Sequence, residues 1–212
     1  MLKRCSFLVI AFVLMFTYFV PVTSNAAEHG RIKSEEVLTE EKTQQLVDTL
    51  DEYVYAQNNN LKIKNIPDSV YDEFGKKNVK AMTDGIKELN KSANDGELII
   101  TDNKTIYEAD DTSYSVQGGI DKVVYKWYGR VRYFSTKSAN DFVYSANKVA
   151  VGAAGVGVLA SYFSAGTSAL FGGLTSWYFA NLALDIAQAN SGHYRGIIMH
   201  VTWASVYWTE RQ

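Results

Sequence analysis

The sequence predicts an α+β fold: an acidic, mainly helical N-terminal segment followed by a βααβ module, in which a long Gly/Ala-rich helical hairpin lies between two paired strands. Three observations predict it. Apolar residues recur at helical spacing between residues 39 and 89. Two stretches, 122–134 and 196–209, alternate with period two. Between them, residues 149–184 form a run of 36 without one formal charge, and 20 of these are Gly, Ala, Ser or Thr.

The first 26 residues stand apart. Lys3 and Arg4 precede an apolar run from Cys5 to Val20, Pro21 ends it, and Ser24-Asn25-Ala26 offers small residues at the right spacing for cleavage. This is the pattern of a secretory signal peptide, with cleavage expected between Ala26 and Ala27 and a secreted, extracellular product. Cys5 is the only cysteine. The exported chain then has no disulfide, no thiol nucleophile and no thiolate ligand, and it is held together by a core or by a membrane.

Residues 27–111 hold 11 Lys and Arg against 19 Asp and Glu, net −8, whereas residues 112–212 hold 8 against 4, net +4. All four Trp and 18 of the 28 aromatic residues lie in the second stretch. The asymmetry suggests two parts, 27–111 (a possible pro-region) and 112–212, joined by the polar linker Glu108–Ser113. In the acidic part, Thr39-Glu40-Glu41 opens a helix with a cap and two acids at the positive end of the dipole. Leu46, Val47, Leu50, Tyr53 and Val54 continue it, and Asn58-Asn59-Asn60 stops it. Ile66-Pro67-Asp68 marks a turn before a short helix from Ser69 to Phe74. Val79, Met82, Ile86 and Leu89 line one face of a further helix, which ends before Asn94-Asp95-Gly96. Leu98–Ile100 and Thr105–Tyr107 read as short strands.

In the cationic part, alternation from Val123 puts Val123, Tyr125, Trp127, Val131 and Tyr133 on one face and Lys126, Tyr128, Arg130 and Arg132 on the other. A second strand from about Gly196 to Thr209 sets Ile197, Met199, Val201, Trp203 and Tyr207 together, opposite Ile198, His200, Thr202, Trp208 and Glu210. The two are expected to pair. The hairpin between them spans 139–190. Ser138 caps it and Asp141 sits at the third helical position. Phe142, Val143, Ala146, Val149 and Ala150 form its stripe, and Ser164–Thr167 splits it into helices of about 139–163 and 167–190.

A helix that is apolar all round belongs in a protein core or in lipid. Gly152, Gly155 and Gly157 permit close approach of two helices, as in membrane helix pairs. With Leu159, Leu170, Leu174 and Trp177 they are the expected membrane-inserting residues. Trp177, Tyr178, Trp203, Tyr207 and Trp208 are types that settle at a lipid–water interface. Lys126, Arg130, Arg132 and Lys137 are the expected contacts to anionic lipid head groups. Bacterial membrane lipids are the expected partner, with an immunity protein and self-association left open.

Little in the chain points to catalysis. His29 lies near the N-terminus, and His193 and His200 are spaced so that a continuous strand turns them to opposite faces, which is poor metal-ligand geometry. Gly118-Gly119 and Gly172-Gly173 lack the strand-to-helix context of a phosphate loop. The basic aromatic strand 122–134 has the composition to stack on single-stranded nucleic acid, but packing explains its aromatics better. No cofactor, metal, nucleic acid or enzymatic activity is expected.

The order of signal peptide, acidic helical segment and Gly/Ala-rich apolar hairpin resembles the precursors of secreted killing peptides of Gram-positive bacteria, the sporulation-delaying-protein type among them. The resemblance is architectural. Gly118-Gly119-Ile120-Asp121-Lys122, followed by Trp127-Tyr128-Gly129 and Arg132-Tyr133, is similar to a pattern in uncharacterised secreted Firmicutes proteins. The resemblance implies a bacteriocin-like, membrane-permeabilising protein released by proteolysis, and carries over no site residue. The alternative is a soluble secreted cell-surface or binding protein with the hairpin as its core.

Overall fold

The computed structural model describes residues 38–109, 114–116, 119–163, 171, 174–192 and 194–212. The expected signal peptide, Gly118, the turn Ser164–Thr167, Leu170, Gly172-Gly173 and His193 lie outside these residues.

Thr39 caps helix α1 (Glu40–Asp51), its Oγ1 accepting from Lys42 N at 3.3 Å. The helix stops short of Tyr53 and Val54, because Val54 opens a hairpin, β1 (Val54–Gln57) and β2 (Asn60–Ile63). Asn58 and Asn59 both take positive φ, 53° and 59°, as a tight primed turn requires. The asparagines that read as a helix stop are therefore the turn itself. Asn90 locks this hairpin to the next helices, donating to the Leu61 carbonyl at 2.8 Å and accepting from Leu61 N at 2.7 Å. Helices α2 (Asp68–Phe74) and α3 (Lys76–Asn94) follow, and Val79, Met82, Ile86 and Leu89 are all buried on α3.

The remaining strands are β3 (Leu98–Ile100), β4 (Ile106–Glu108), β5 (Tyr114–Val116), β6 (Gly119–Lys126), β7 (Gly129–Phe134), β8 (Ile197–Thr202) and β9 (Tyr207–Arg211). They form one antiparallel sheet in the order β3-β4-β6-β7-β8-β9, with β5 also paired to β6. The two distant stretches do pair, through β7 and β8. The sheet has strands from both sides of the compositional boundary, β4 ending at Glu108 and β5 starting at Tyr114; residues 110–113 of the expected linker lie outside the described residues.

The expected facing of 122–134 is overturned. That stretch is two strands, with Lys126 paired to Gly129 across a two-residue turn, Trp127-Tyr128. Partners across such a turn have numbers of opposite parity, so the alternation changes phase. Arg130 is paired with Tyr125 and Arg132 with Val123, and cross-strand partners share a face. Both arginines thus stand on the covered side, with Phe134, Ile197, Met199 and Val201. Gly129 fits the turn because a Cβ there would run into the Val201 carbonyl. The opposite face carries Ile99, Tyr107, Lys126 and Glu210, all exposed.

Helices α4 (Thr136–Ala150) and α6 (Ser176–Asn190) pack on each other and against the covered face. Ser135 caps α4, its Oγ accepting from Ser138 N at 3.3 Å, so the cap lies three residues before the expected one. The expected first arm, 139–163, is broken into shorter helices, and the described part of the second, 167–190, has its helix at Ser176–Asn190. Gly152 at φ 73° ends α4, with Gly152 N bonded to Val149 O at 3.0 Å and Ala153 N to Lys148 O at 2.8 Å. These are the two bonds of a glycine C-cap. A single turn, α5 (Gly157–Ala160), and a 3₁₀ turn, Ser161–Phe163, follow. Among the described residues no helix is long and apolar enough to cross a membrane.

The apolar segment supplies a core. Phe134, Phe142, Phe163, Phe171 and Phe179 are fully buried and form a chain of ring contacts, with centroids 5.1 to 6.3 Å apart between neighbours. Leu159, Leu182, Ala183 and Ile186 are buried in the same core. At one end of the sheet the Gln212 amide acts as a clasp. Its Nε2 donates to the carbonyls of Ile120 (2.9 Å), Phe134 (2.8 Å) and Ile197 (3.2 Å), and its Oε1 accepts from Ile120 N at 2.8 Å.

Candidate functional site

Three elements converge on a cleft of about 380 Å³: the start of α1, the first three turns of α6, and the turn between β8 and β9. On α6, Trp177, Tyr178, Asn181 and Asp185 line it; spacings of four and eight residues keep them along one side of a helix. Thr175 starts this helix, its Oγ1 accepting from Tyr178 N at 3.3 Å. Ser205 holds the β8–β9 turn with φ 62°, donating its N–H to Thr202 O at 2.9 Å. That turn brings Val206 and Tyr207 to the cleft, and Leu38 and Glu40 close it from α1.

The walls are tied together by two tyrosines. The Tyr178 hydroxyl donates to Ser205 O at 2.9 Å, and the Tyr207 hydroxyl donates to Asp185 Oδ2 at 2.7 Å. Their rings meet edge to face with centroids 5.5 Å apart. Burial raises the pKa of both hydroxyls, that of Tyr178 helped by Tyr207 and that of Tyr207 by the Asp185 carboxylate. Both therefore stay protonated donors. Asp185 is exposed, and Tyr207 takes only its Oδ2. Asn181 is fixed by donating Nδ2 to Trp177 O at 2.8 Å.

Trp177 differs from its neighbours. Phe179 is buried and Tyr178 half-buried, but Trp177 is 75% exposed at the cleft. A rigid side chain with so large an apolar area normally seeks cover. Here it offers a ring face to solvent beside hydrogen-bonding groups, which is how ligand sites are commonly furnished.

A smaller hollow of about 260 Å³ lies at the Gln212 end of the sheet, where Arg195 and Arg211 lie beside the exposed Tyr194. On the outer sheet face His200 stacks on Trp208 with centroids 4.7 Å apart and lies 3.4 Å from Glu210. Burial lowers its pKa, against the pull of Glu210.

The residues expected to insert in a membrane scatter. Among the described residues, nothing lies within 4 Å of a Cβ added at Gly152, Gly155 or Gly157, so these glycines mediate no close contact with a described helix. Gly152 serves instead as the C-cap of α4. Leu159 is in the core and Leu174 is half-buried. Among the described ones, Trp177 alone lines the candidate cleft.

The four expected head-group contacts also separate. Lys126 is exposed next to the β6–β7 turn, and Lys137 is exposed and bound to Asp141 at 2.5 Å. Arg132 is bound to Asp121 at 2.9 Å with its guanidinium 4.7 Å from the Phe134 ring. Arg130, expected on a polar surface, is 1% exposed. It lies between the rings of Tyr125 (4.2 Å) and Trp203 (4.9 Å) and donates to Gly129 O at 3.1 Å. Tyr125 in turn donates to Glu108 at 2.6 Å. Burial pulls the Arg130 pKa down to about 10, with Tyr125 and Glu108 holding it up. At neutral pH it is a charge inside the core, out of reach of a membrane surface.

Sequence reading singled out Trp177, Tyr178 and Tyr207 but not Glu40, Asn181 or Asp185. One signal was there: Asp185 is the only acid between Asp141 and Glu210. It is the one acid on α6, and so the one carboxylate that this helix can offer to Tyr207.

No family model, curated protein or solved structure matches the chain.

Proposed function

We propose that the chain is an exported, non-catalytic binding protein whose ligand sits in the cleft beside Trp177. The observation that supports this reading is the exposed indole at a cleft whose other aromatic walls are hydrogen-bonded in place. Preorganised walls lower the ordering cost of binding, and the apolar segment serves as the core on which they are built. The test is sedimentation of the purified chain with isolated bacterial cell walls and with lipid vesicles. Wild type is expected to bind one of these envelope fractions, and Trp177→Ala to lose that binding while keeping its circular dichroism spectrum. Equal binding by the two proteins would remove the cleft from the function.

A second reading, a membrane-permeabilising protein of bacteriocin type, is favoured by one observation. Trp177 and Leu184, 75% and 63% exposed, are seven residues apart on α6 and so share its outer side. Tyr144 and Val151 repeat that spacing, one on α4 and the other at its end, and are also exposed. Dye release from anionic vesicles by wild type, lost in Leu184→Lys, is the outcome this reading expects; intact vesicles would exclude it.

A further inference from the structure

Resting on the cleft reading, we infer that its ligand is an organic cation, a primary or quaternary alkylammonium group seated against the Trp177 indole and facing Asp185 and Glu40. The argument is one of charge and shape. Among the described residues lining the cleft there is no Lys, Arg or His, whereas two carboxylates are present. Asp185 presents an exposed carboxylate of which Tyr207 occupies one oxygen. Glu40 stands at the other side, in the first turn of α1, and is likewise exposed. Carboxylates on the rim of a cleft select for positive charge by complementarity.

The aromatic walls narrow the class of cation. A bare metal ion asks for several oxygen ligands at once, and among the described residues no group of three or more His, Cys, Asp or Glu side chains is placed to hold one. An alkylammonium asks for what is here: the negative face of an aromatic ring, best of all an indole, with apolar surface for its methyl or methylene groups. Trp177, Tyr178 and Tyr207 supply the rings, and Leu38 and Val206 the apolar floor. The volume, about 380 Å³, is in the range of small-molecule sites. A neutral sugar would also stack on Trp177 and donate hydroxyls to the carboxylates, but it brings no positive charge to complement them.

The proposal is tested with the purified chain by titrating choline, n-butylammonium and the uncharged isostere of choline, 3,3-dimethylbutan-1-ol, followed by tryptophan fluorescence and calorimetry. An N-acetylglucosamine tetramer serves as the neutral, stacking probe. Choline or n-butylammonium is expected to bind saturably, at least about tenfold more tightly than the neutral isostere, and less tightly as salt rises. Trp177→Ala is expected to abolish this binding. The double variant Glu40→Gln/Asp185→Asn is expected to weaken it about tenfold while the fold is kept, since the side-chain amide carbonyl that replaces the Asp185 carboxylate still accepts from Tyr207. Equal binding of choline and its isostere, no binding of either cation, or indifference to the double variant would each overturn the cation assignment. Trp177-dependent binding of the tetramer alone would leave the cleft as a binding site for a neutral ligand and refute the cation. If Trp177→Ala changes the response to no probe, the cleft reading falls as well.

Discussion

The covered face of the sheet has two parts that are built by opposite rules. Beside α3 it holds a guanidinium: Arg130 lies between Tyr125 and Trp203, Tyr125 is bonded to Glu108, and Trp203 lies over Gly85 of α3 and donates to Trp127 O at 2.8 Å. Beside α4 and α6 it holds the phenylalanines, from Phe134 to Phe179. The phenylalanine part gains from apolar burial, which is large but indifferent to orientation. The arginine part gains little net energy from a desolvated charge, but each of its contacts fixes one ring or one strand against another. The difference teaches that this core separates the residues that stabilise it from those that set its arrangement.

The comparison is broken most severely by Phe142→Ala, which deletes a fully buried ring touching Phe134, Tyr162 and Phe163. It is expected to cost about 3–5 kcal/mol in a urea titration. Gly85→Ala attacks the other part from the helix side. A Cβ at that position overlaps the Trp203 indole, so either the ring or α3 shifts, and a loss of about 1–3 kcal/mol is expected from overpacking. Arg130→Met sharpens the contrast: it keeps the bulk between the two rings and removes the charge. It is expected to lie within about 1 kcal/mol of wild type, with altered near-ultraviolet circular dichroism from Trp203. A loss as large as that of Phe142→Ala would show that the charge itself stabilises the core. The smallest effect is expected at Gly155→Leu, where no described residue lies within 4 Å of an added Cβ. A change within about 0.5 kcal/mol is expected, and unfolding there would restore the idea of a close helix pair.

The phenylalanine part was the more legible of the two. The stripe of α4 and the faces of β8 follow from spacing alone, because their neighbours in sequence are their neighbours in the element; in the arginine part only the stripe of α3 follows in the same way. Pairing of the strand regions around 122–134 and 196–209 was also legible, from their shared composition. The arginine part was misread because of one local event. Trp127-Tyr128 carries no Asn or Asp to announce a tight turn, and Gly129 alone did not mark the strand as folded back on itself. Once the turn was missed, every residue of β7 was assigned to the wrong face. The Asn58-Asn59 turn was missed for the converse reason: its residues suit both a helix stop and a hairpin. The cleft was hardest to read. Glu40 and Asp185 lie in stretches of opposite charge balance, and only the meeting of α1 with α6 brings them together.

The Gln212 clasp bears on time rather than on energy. Its side chain joins residues 120, 134 and 197, the first two lying 92 and 78 positions away in the chain. A ribosome delivers the chain from its N-terminus, so each strand that the clasp ties emerges before the clasp does. The β7–β8 pairing is itself remote in sequence, and contacts of this kind form slowly because the loop between them must first be closed. Until residue 212 arrives, the ends of β6, β7 and β8 lack the amide that joins them, and the nascent chain is easier to keep extended than the finished fold would suggest.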